Sequence, residues 1–299
     1  MASLARILPD SKGLAPGDLA PGDQDAASFN WQGFEINRIN SITDPLFQKV
    51  YAKLWAEFGE KGEMEQREVI TQRLHWAPSQ FVSGYSLGYE IIAVQNEGKI
   101  VAVRDHTAIV REQTSQTISG KKAEAIVHLS HALIDPDYRG TGMIGWLRAW
   151  PVQKARESLV ATGFSADSPI TLAAEMELLN ESSAAASKQR RRLKSYQKAG
   201  FLLIDPDKVY YFQPDFRAPE IIDSTGDVKP LHLSLVVRRV GRENEREIKG
   251  AELKRIVSSI YHMYGCGFRK QDMAPLWKMV ESSYPADDAT IRLLDPLDQ

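Results

Sequence analysis

Several things this 299-residue chain has little of narrow its class. It holds one cysteine, Cys266, so an internal disulfide and a multi-cysteine metal site are both excluded, and a reducing compartment suits it. Neither sign of charge prevails: 37 basic against 39 acidic residues leave a net charge of -2, and no global field draws nucleic acid or an anionic membrane to the protein. No apolar run is long enough to span a bilayer, and Leu4-Ala5-Arg6-Ile7-Leu8 is too short and too soon broken for a secretory signal, so the expected location is the cytoplasm. What remains, 43% hydrophobic and 25% charged residues, is the composition of a globular protein with one large core or two modest ones.

The densest signal runs from Ala123 to Gly163. Apolar residues from Ala125 to Ile134, interrupted by single polar ones, predict a mostly buried strand that Asp135-Pro136 terminates. Arg139-Gly140-Thr141-Gly142 then supplies two glycines at a sharp turn, and the pattern from Thr141 to Gly163 predicts a helix, kinked or restarted at Pro151. Glycines at a strand-to-helix junction let main-chain N–H groups approach an anion, and the helix dipole favours it, so the turn is a candidate phosphate site. An ordinary strand-to-helix connection is the alternative.

Elsewhere the pattern is coarser. Residues 1–30, rich in Gly, Pro, Asp and Ala and carrying Leu-Ala-Pro-Gly-Asp twice in succession at 14–23, are expected to form a mobile tail dispensable for the fold. Phe34 to Ile39 predicts a strand, and helices are predicted after Asp44-Pro45 and from Glu63 to Leu74. Tyr89 to Val94 and Ile100 to Val110 flank the hairpin signal Asn96-Glu97-Gly98, and Arg111 to Lys122 reads as a polar loop. Ile170 to Leu178 is the expected next strand, parallel to the one ending at Ile134, and Asn180 to Ala199 a helix ending at Gly200. Strands at Phe201 to Ile204, Tyr210 to Phe212 and Leu231 to Arg239 follow, then amphipathic helices over Glu247 to Met263 and Gln271 to Ser283.

Leu133-Ile134-Asp135-Pro136-Asp137-Tyr138-Arg139-Gly140-Thr141-Gly142 resembles the acetyl-CoA signature of the GNAT N-acetyltransferase superfamily, with Ile144 where that family has Gly or Ala. Tyr196-Gln197-Lys198-Ala199-Gly200-Phe201 is similar to the Tyr-x-Lys-x-Gly-Phe end of the family's last helix. The resemblance covers roughly residues 32 to 240 and implies an α/β fold with a mixed central sheet flanked by helices, as a domain over 31–241 followed by a helical extension over 242–299. That extension is expected to pack on the sheet edge or to serve a dimer. Acetyl-CoA is the implied co-substrate, with no metal, held by Leu133, Ile134, Arg139, Gly140, Thr141, Gly142, Met143, Ile144 and the strand-end Asn180.

Acetyl transfer to an amine needs a base for the nitrogen, a polarised carbonyl and a proton for the leaving thiolate. Strict alternation puts His128, Ser130 and Ala132 on one face of the strand and Val127, Leu129, His131 and Leu133 on the other. His128 stands where the resemblance implies a base, its alternative being a strand histidine satisfied by a neighbour. Tyr196 is by the same resemblance the acid, or else a packing partner of Phe201. Glu175 and Glu177 share a strand face, where they could hold a cationic acceptor, replace His128, or be surface charge. The run Lys188 to Lys194 suits a solvated helix face touching the cofactor's 3′-phosphate better than nucleic acid. The expected function is therefore N-acetylation of a primary amine, on a small molecule or peptide, by direct attack; a GNAT-fold module that binds CoA or a partner without catalysis is the second reading.

Overall fold

In the computed structural model, which describes residue 14, residues 17–113 and residues 122–298, ten strands form one mixed sheet. Strand β1 (Phe34–Ile39) leads to α1 (Phe47–Phe58) and α2 (Arg67–Arg73); β2 (Tyr85–Asn96), β3 (Lys99–Gln113) and β4 (Lys122–Ile134) follow as an antiparallel meander. Helix α3 (Met143–Ala161) crosses over to β5 (Ile170–Glu177), which pairs with β4 as the sheet's one parallel neighbour. Then come α4 (Ala186–Lys198), β6 (Leu202–Ile204), β7 (Tyr211–Gln213), α5 (Pro219–Thr225) and β8 (Leu231–Arg239). The chain closes with β9 (Glu247–Lys249), α6 (Gly250–Gly265), α7 (Lys270–Ser283) and β10 (Thr290–Leu294), giving the spatial order β1-β2-β3-β4-β5-β8-β6-β10-β9, with β7 also on β8.

The central strands read as continuous apolar runs because both faces are covered. On one face Val127, Leu129, Leu172 and Ala174 pack under Val152, Ala155 and Leu159 of α3. On the other, Ile109, Ile126, Ala173 and Val237 pack under Leu253, Ile256, Ile260 and Tyr264 of α6 and Met273 and Leu276 of α7. Pro151 does not restart α3, which runs as one helix from Met143 to Ala161 around it, with the flanking Trp150 and Val152 buried.

Several expectations need correction. First, the described part of the expected tail is packed: Pro21–Ser28 forms 3-10 turns across α3 and α4, with Ala20 and Ala26 buried. The repeated Leu-Ala-Pro-Gly-Asp supplies Asp18 and Asp23, and these meet Arg156 and Arg148 two helical turns apart on α3. Charge pairing joins apolar burial of Leu14, Ala20 and Ala26 in tying down a segment whose composition reads as unfolded; residues 1–13 and 15–16 of the tail lie outside the described residues. Second, the extension after 241 is neither purely helical nor separate: β10 pairs with β6 and β9 with β10, so the chain's end completes the sheet that its middle begins. Third, the predicted helices at Glu63 and Asn180 begin later, at Arg67 and Ala186; before the second, Asn180 and Ser183 accept the N–H groups of Ser182 and Ala185 in local turns. The polar loop expected at 111–122 is strand at both ends, and its middle, 114–121, lies outside the described residues.

Candidate active site

The site opens where two parallel strands part. Strands β4 and β5 pair only from Ala125↔Ile170 to His128↔Ala173, and beyond that both continue unpaired with each other, to Ile134 and Glu177. A bulge in β4 accompanies the parting: β3–β4 register steps from His106↔Leu129 to Arg104↔Ala132, so Ser130 and His131 together face Asp105. Asp105 takes over for the missing partner. It accepts the His131 main-chain N–H at 2.7 Å and its Nδ1 at 3.1 Å, and it accepts the Tyr89 hydroxyl at 2.8 Å.

Strict alternation therefore fails beyond Leu129. The inserted residue turns His131 to the face of His128, and both line the same cavity. Burial alone would lower the His131 pKa, but the Asp105 charge and hydrogen bond outweigh it and raise it to about 9. His131 is thus an imidazolium that donates Nε2–H to the Glu63 carbonyl at 2.9 Å, and it is locked rather than available as a base. A pKa raised from 6.5 to about 9 on folding stabilises the protein fully below pH 6.5, and that contribution disappears as pH rises through 9. The thermal midpoint should fall over that window by an amount worth a few kcal/mol, and His131→Gln should flatten the slope; equal slopes in both proteins would show that the pair does not titrate so.

His128 is nearly wholly buried on β4. Its Nδ1 lies 3.2 Å from Ser130 Oγ, and its Nε2 lies 3.5 Å from Glu175 Oε2 and 3.4 Å from the Tyr264 hydroxyl. Glu175 in turn accepts the hydroxyls of Tyr211 and, at 3.0 Å, Tyr264. Burial would raise the Glu175 pKa, but His128 and the two tyrosines outweigh it and hold the carboxyl below its usual range. Burial, and after it the Glu175 charge, pushes both tyrosines well above theirs, so they remain donors.

Two cavities meet at this cluster. The wider, about 570 Å³, runs along the parted strands and is lined by Leu133, Ile134, Arg139, Gly140, Ile144, Arg148, Lys188, Arg192, Ser195 and Tyr196. The narrower, about 70 Å³, is lined by Glu63, Glu65, His128, Glu177, Phe216 and Tyr264 among others. Phe58, Ser130, His131, Glu175 and Arg192 line both. A group in one is in contact range of a group in the other at Ser130 and Glu175.

The sequence-predicted residues divide accordingly. His128, Glu175 and Glu177 come together at the narrow cavity, and Leu133, Ile134, Arg139, Gly140, Ile144 and Tyr196 at the wide one. Four do not join them. Thr141 donates its hydroxyl to the Tyr138 carbonyl at 2.7 Å, Met143 is fully buried, and Asn180 bonds Ser182. Gly142, at φ 92°, faces the N-terminal segment, where a Cβ would lie 2.9 Å from the Asp25 carbonyl. The half of the turn open to the wide cavity is Arg139, Gly140 and Ile144. Lys188 and Arg192 of the basic run reach that cavity, while Arg190 turns away to Glu181.

Sequence reasoning missed Asp105, Tyr264, Glu63, Arg148 and Ser195. The four polar residues Arg104-Asp105-His106-Thr107 inside an otherwise apolar strand were the available signal for Asp105, since buried polar groups need partners. Tyr264 had none, because the helix bearing it reads only as amphipathic.

Among the described residues no helix is long and apolar enough to cross a membrane, and no group of three or more His, Cys, Asp or Glu side chains is placed to hold a metal ion. No family model and no curated protein matches the chain. Solved structures similar to it are acetyltransferases. One is an aminoglycoside acetyltransferase from an uncultured soil metagenomic sample, 13% identical over 55% of this chain and 89% of its own, with a TM-score of 0.28. Another is a probable acetyltransferase from Staphylococcus epidermidis, 9% identical over 69% of this chain and 98% of its own, TM-score 0.36. A third is an acetyltransferase of the GNAT family from Streptococcus pneumoniae, 16% identical over 51% of this chain and 67% of its own, TM-score 0.25. Overlap this partial assigns neither acceptor nor mechanism.

Proposed function

We propose that the chain is a GNAT-type N-acetyltransferase that moves the acetyl group of acetyl-CoA to a primary amine by direct attack. The observation that carries the reading is the meeting of two unlike cavities at Ser130 and Glu175: a wide one with Arg139, Lys188 and Arg192 on its lining, and a narrow one lined by Glu63, Glu65 and Glu177. The wide cavity fits an anionic cofactor with a slender arm. Its cations suit phosphates, its floor of Leu133, Ile134 and Ile144 suits the arm, and Arg139 to Gly140 open the strand-to-helix turn towards it. Acetyl-CoA would supply the activated acyl group there.

The chain's own residues then divide the proton work. Glu175, ionised and held by two tyrosines, faces His128 Nε2 and favours a proton on that nitrogen, which leaves Nδ1 free to accept from Ser130 Oγ. Ser130 lies on both cavities, so it relays the amine proton to His128, which lines only the narrow one. Tyr196, on the wide cavity, is the donor to the departing sulfur.

The test is release of free thiol from acetyl-CoA in the presence of a panel of primary amines. Amine-dependent release that follows saturation in both substrates is expected. Tight CoA binding by calorimetry with no release on any amine would favour the non-catalytic binding module instead.

A further inference from the structure

The narrow cavity carries more information about its occupant than acetyl transfer requires. Asp105 is paired with His131, Glu65 with Arg73, Glu177 with Arg192 at 3.5 Å and Glu175 with His128 at 3.5 Å, whereas among the described residues Glu63 forms no ion pair and, of the cations, feels only the more distant charges of Lys61 and Arg192. Glu63 and Glu177 hydrogen-bond each other, and burial followed by the Glu177 charge raises the Glu63 pKa. Two carboxylates so placed favour a shared proton or a cation beside them, and Arg192 stands 3.5 Å from Glu177. Glu65, 1% exposed, lines the same cavity, and its Oε2 has no hydrogen-bond partner, which marks an acceptor waiting for a donor. Phe58 and Phe216 supply apolar wall, and a volume of about 70 Å³ suits a slim chain better than a sugar ring.

Resting on the acetyl-transfer reading above, we propose that the acceptor is a linear aliphatic diamine, with its reacting nitrogen at Ser130 and Glu175 and its second ammonium at Glu63, Glu65 and Glu177. The nitrogen lone pair forms the N–C bond, the C–S bond breaks, the amine proton leaves through Ser130 to His128, and the thiolate takes a proton from Tyr196. The products are an N-acetyl monoamide, still cationic at its far end, and CoA thiol. No oxidant or further co-reactant is needed.

The probes are 1,4-diaminobutane and n-butylamine, equal in length and differing in the second ammonium. A buried charge-assisted contact predicts that kcat/KM for the diamine exceeds that for the monoamine by about 10- to 100-fold. Both Glu63→Gln and Glu177→Gln should shrink that ratio at least about tenfold by removing one charged partner. Equal kcat/KM for the two amines, or an unchanged ratio in both variants, overturns the diamine assignment while acetyl transfer stands. An aminoglycoside accepted better than the diamine overturns it too. If no amine releases thiol, acetyl transfer falls, and calorimetry then decides the subsite: tighter binding of the diamine than of the monoamine supports it, and equal binding ends it.

Discussion

Asp23→Ala should destabilise the protein by about 3–5 kcal/mol, the cost of leaving a buried charge unpaired. Asp23 and Arg148 have side chains 2% and 3% exposed, and their bonds are bidentate, Nε to Oδ2 at 2.9 Å and Nη2 to Oδ1 at 2.6 Å. Arg148 also donates to Ser195 on α4 at 2.9 Å, so one guanidinium joins the N-terminal segment, α3 and α4. Removing the carboxylate strands that cation where water does not reach it. The thermal midpoint should drop by roughly 5–15 °C, and Arg148→Leu in the same background should restore part of it, because the uncompensated charge is then gone. A chain starting at Trp31 should fare worse, losing Asp18 from Arg156 and Gln153 as well, along with the main-chain oxygens of Gly17 and Asp18 that bind Arg238. A truncated protein with the parent midpoint would show that the segment rests on the domain without supporting it.

The largest kinetic effects are expected at His128 and Glu175. His128→Gln removes the group that receives the amine proton, and general-base catalysis of this kind contributes about 10²–10⁴ in rate. The loss should be greatest at low pH and partly recovered at high pH, where the free amine is abundant. Glu175→Gln keeps the shape and an acceptor oxygen for a tyrosine but removes the charge opposite His128 Nε2, and it should lower kcat by a similar factor across the range while CoA binding is retained. Tyr196→Phe acts at the other cavity, lowering kcat at every pH with the ring still packed edge-on against Phe201. Wild-type rates in His128→Gln at all pH values would make Glu175 the base, since it alone of the two lines both cavities. Wild-type rates in Tyr196→Phe would pass the acid role to water or another hydroxyl.

Much of this site was legible before any fold was known. His128 and Glu175 line the narrow cavity and Arg139 and Gly140 the wide one beside it, because strand alternation up to Leu129 and the glycine turn are short-range properties of the β4–α3–β5 unit. Asn180 and Gly142 did not follow. Asn180 sits in a local turn that its own side chain stabilises, and Gly142 is covered by a segment more than a hundred residues earlier in the chain. His131 failed for a single reason: one extra residue in a strand reverses every later side chain, and nothing in Leu129-Ser130-His131-Ala132 announces it.

The sequence by itself determined the strand-turn-helix unit from Ala125 to Ala161, the parallel strand after it and the mixed α/β class, since periodicity, proline and glycine act over a few residues wherever the chain goes. Only the tertiary structure decided which charges are buried together. The repeat at 14–23 has the composition of a solvated tail, and it is fixed because Asp18 and Asp23 meet Arg156 and Arg148 on α3 while Ala20 enters the core. Tyr264 belongs to a helix that reads as an appendage, and it joins the site because β9 and β10 bring that helix back over the sheet onto Glu175 and His128. A carboxylate, an imidazole or a guanidinium has the same local preferences in water and in a core. What separates the two is the cost of desolvation, which exists only once distant segments have closed over the group and supplied its partner.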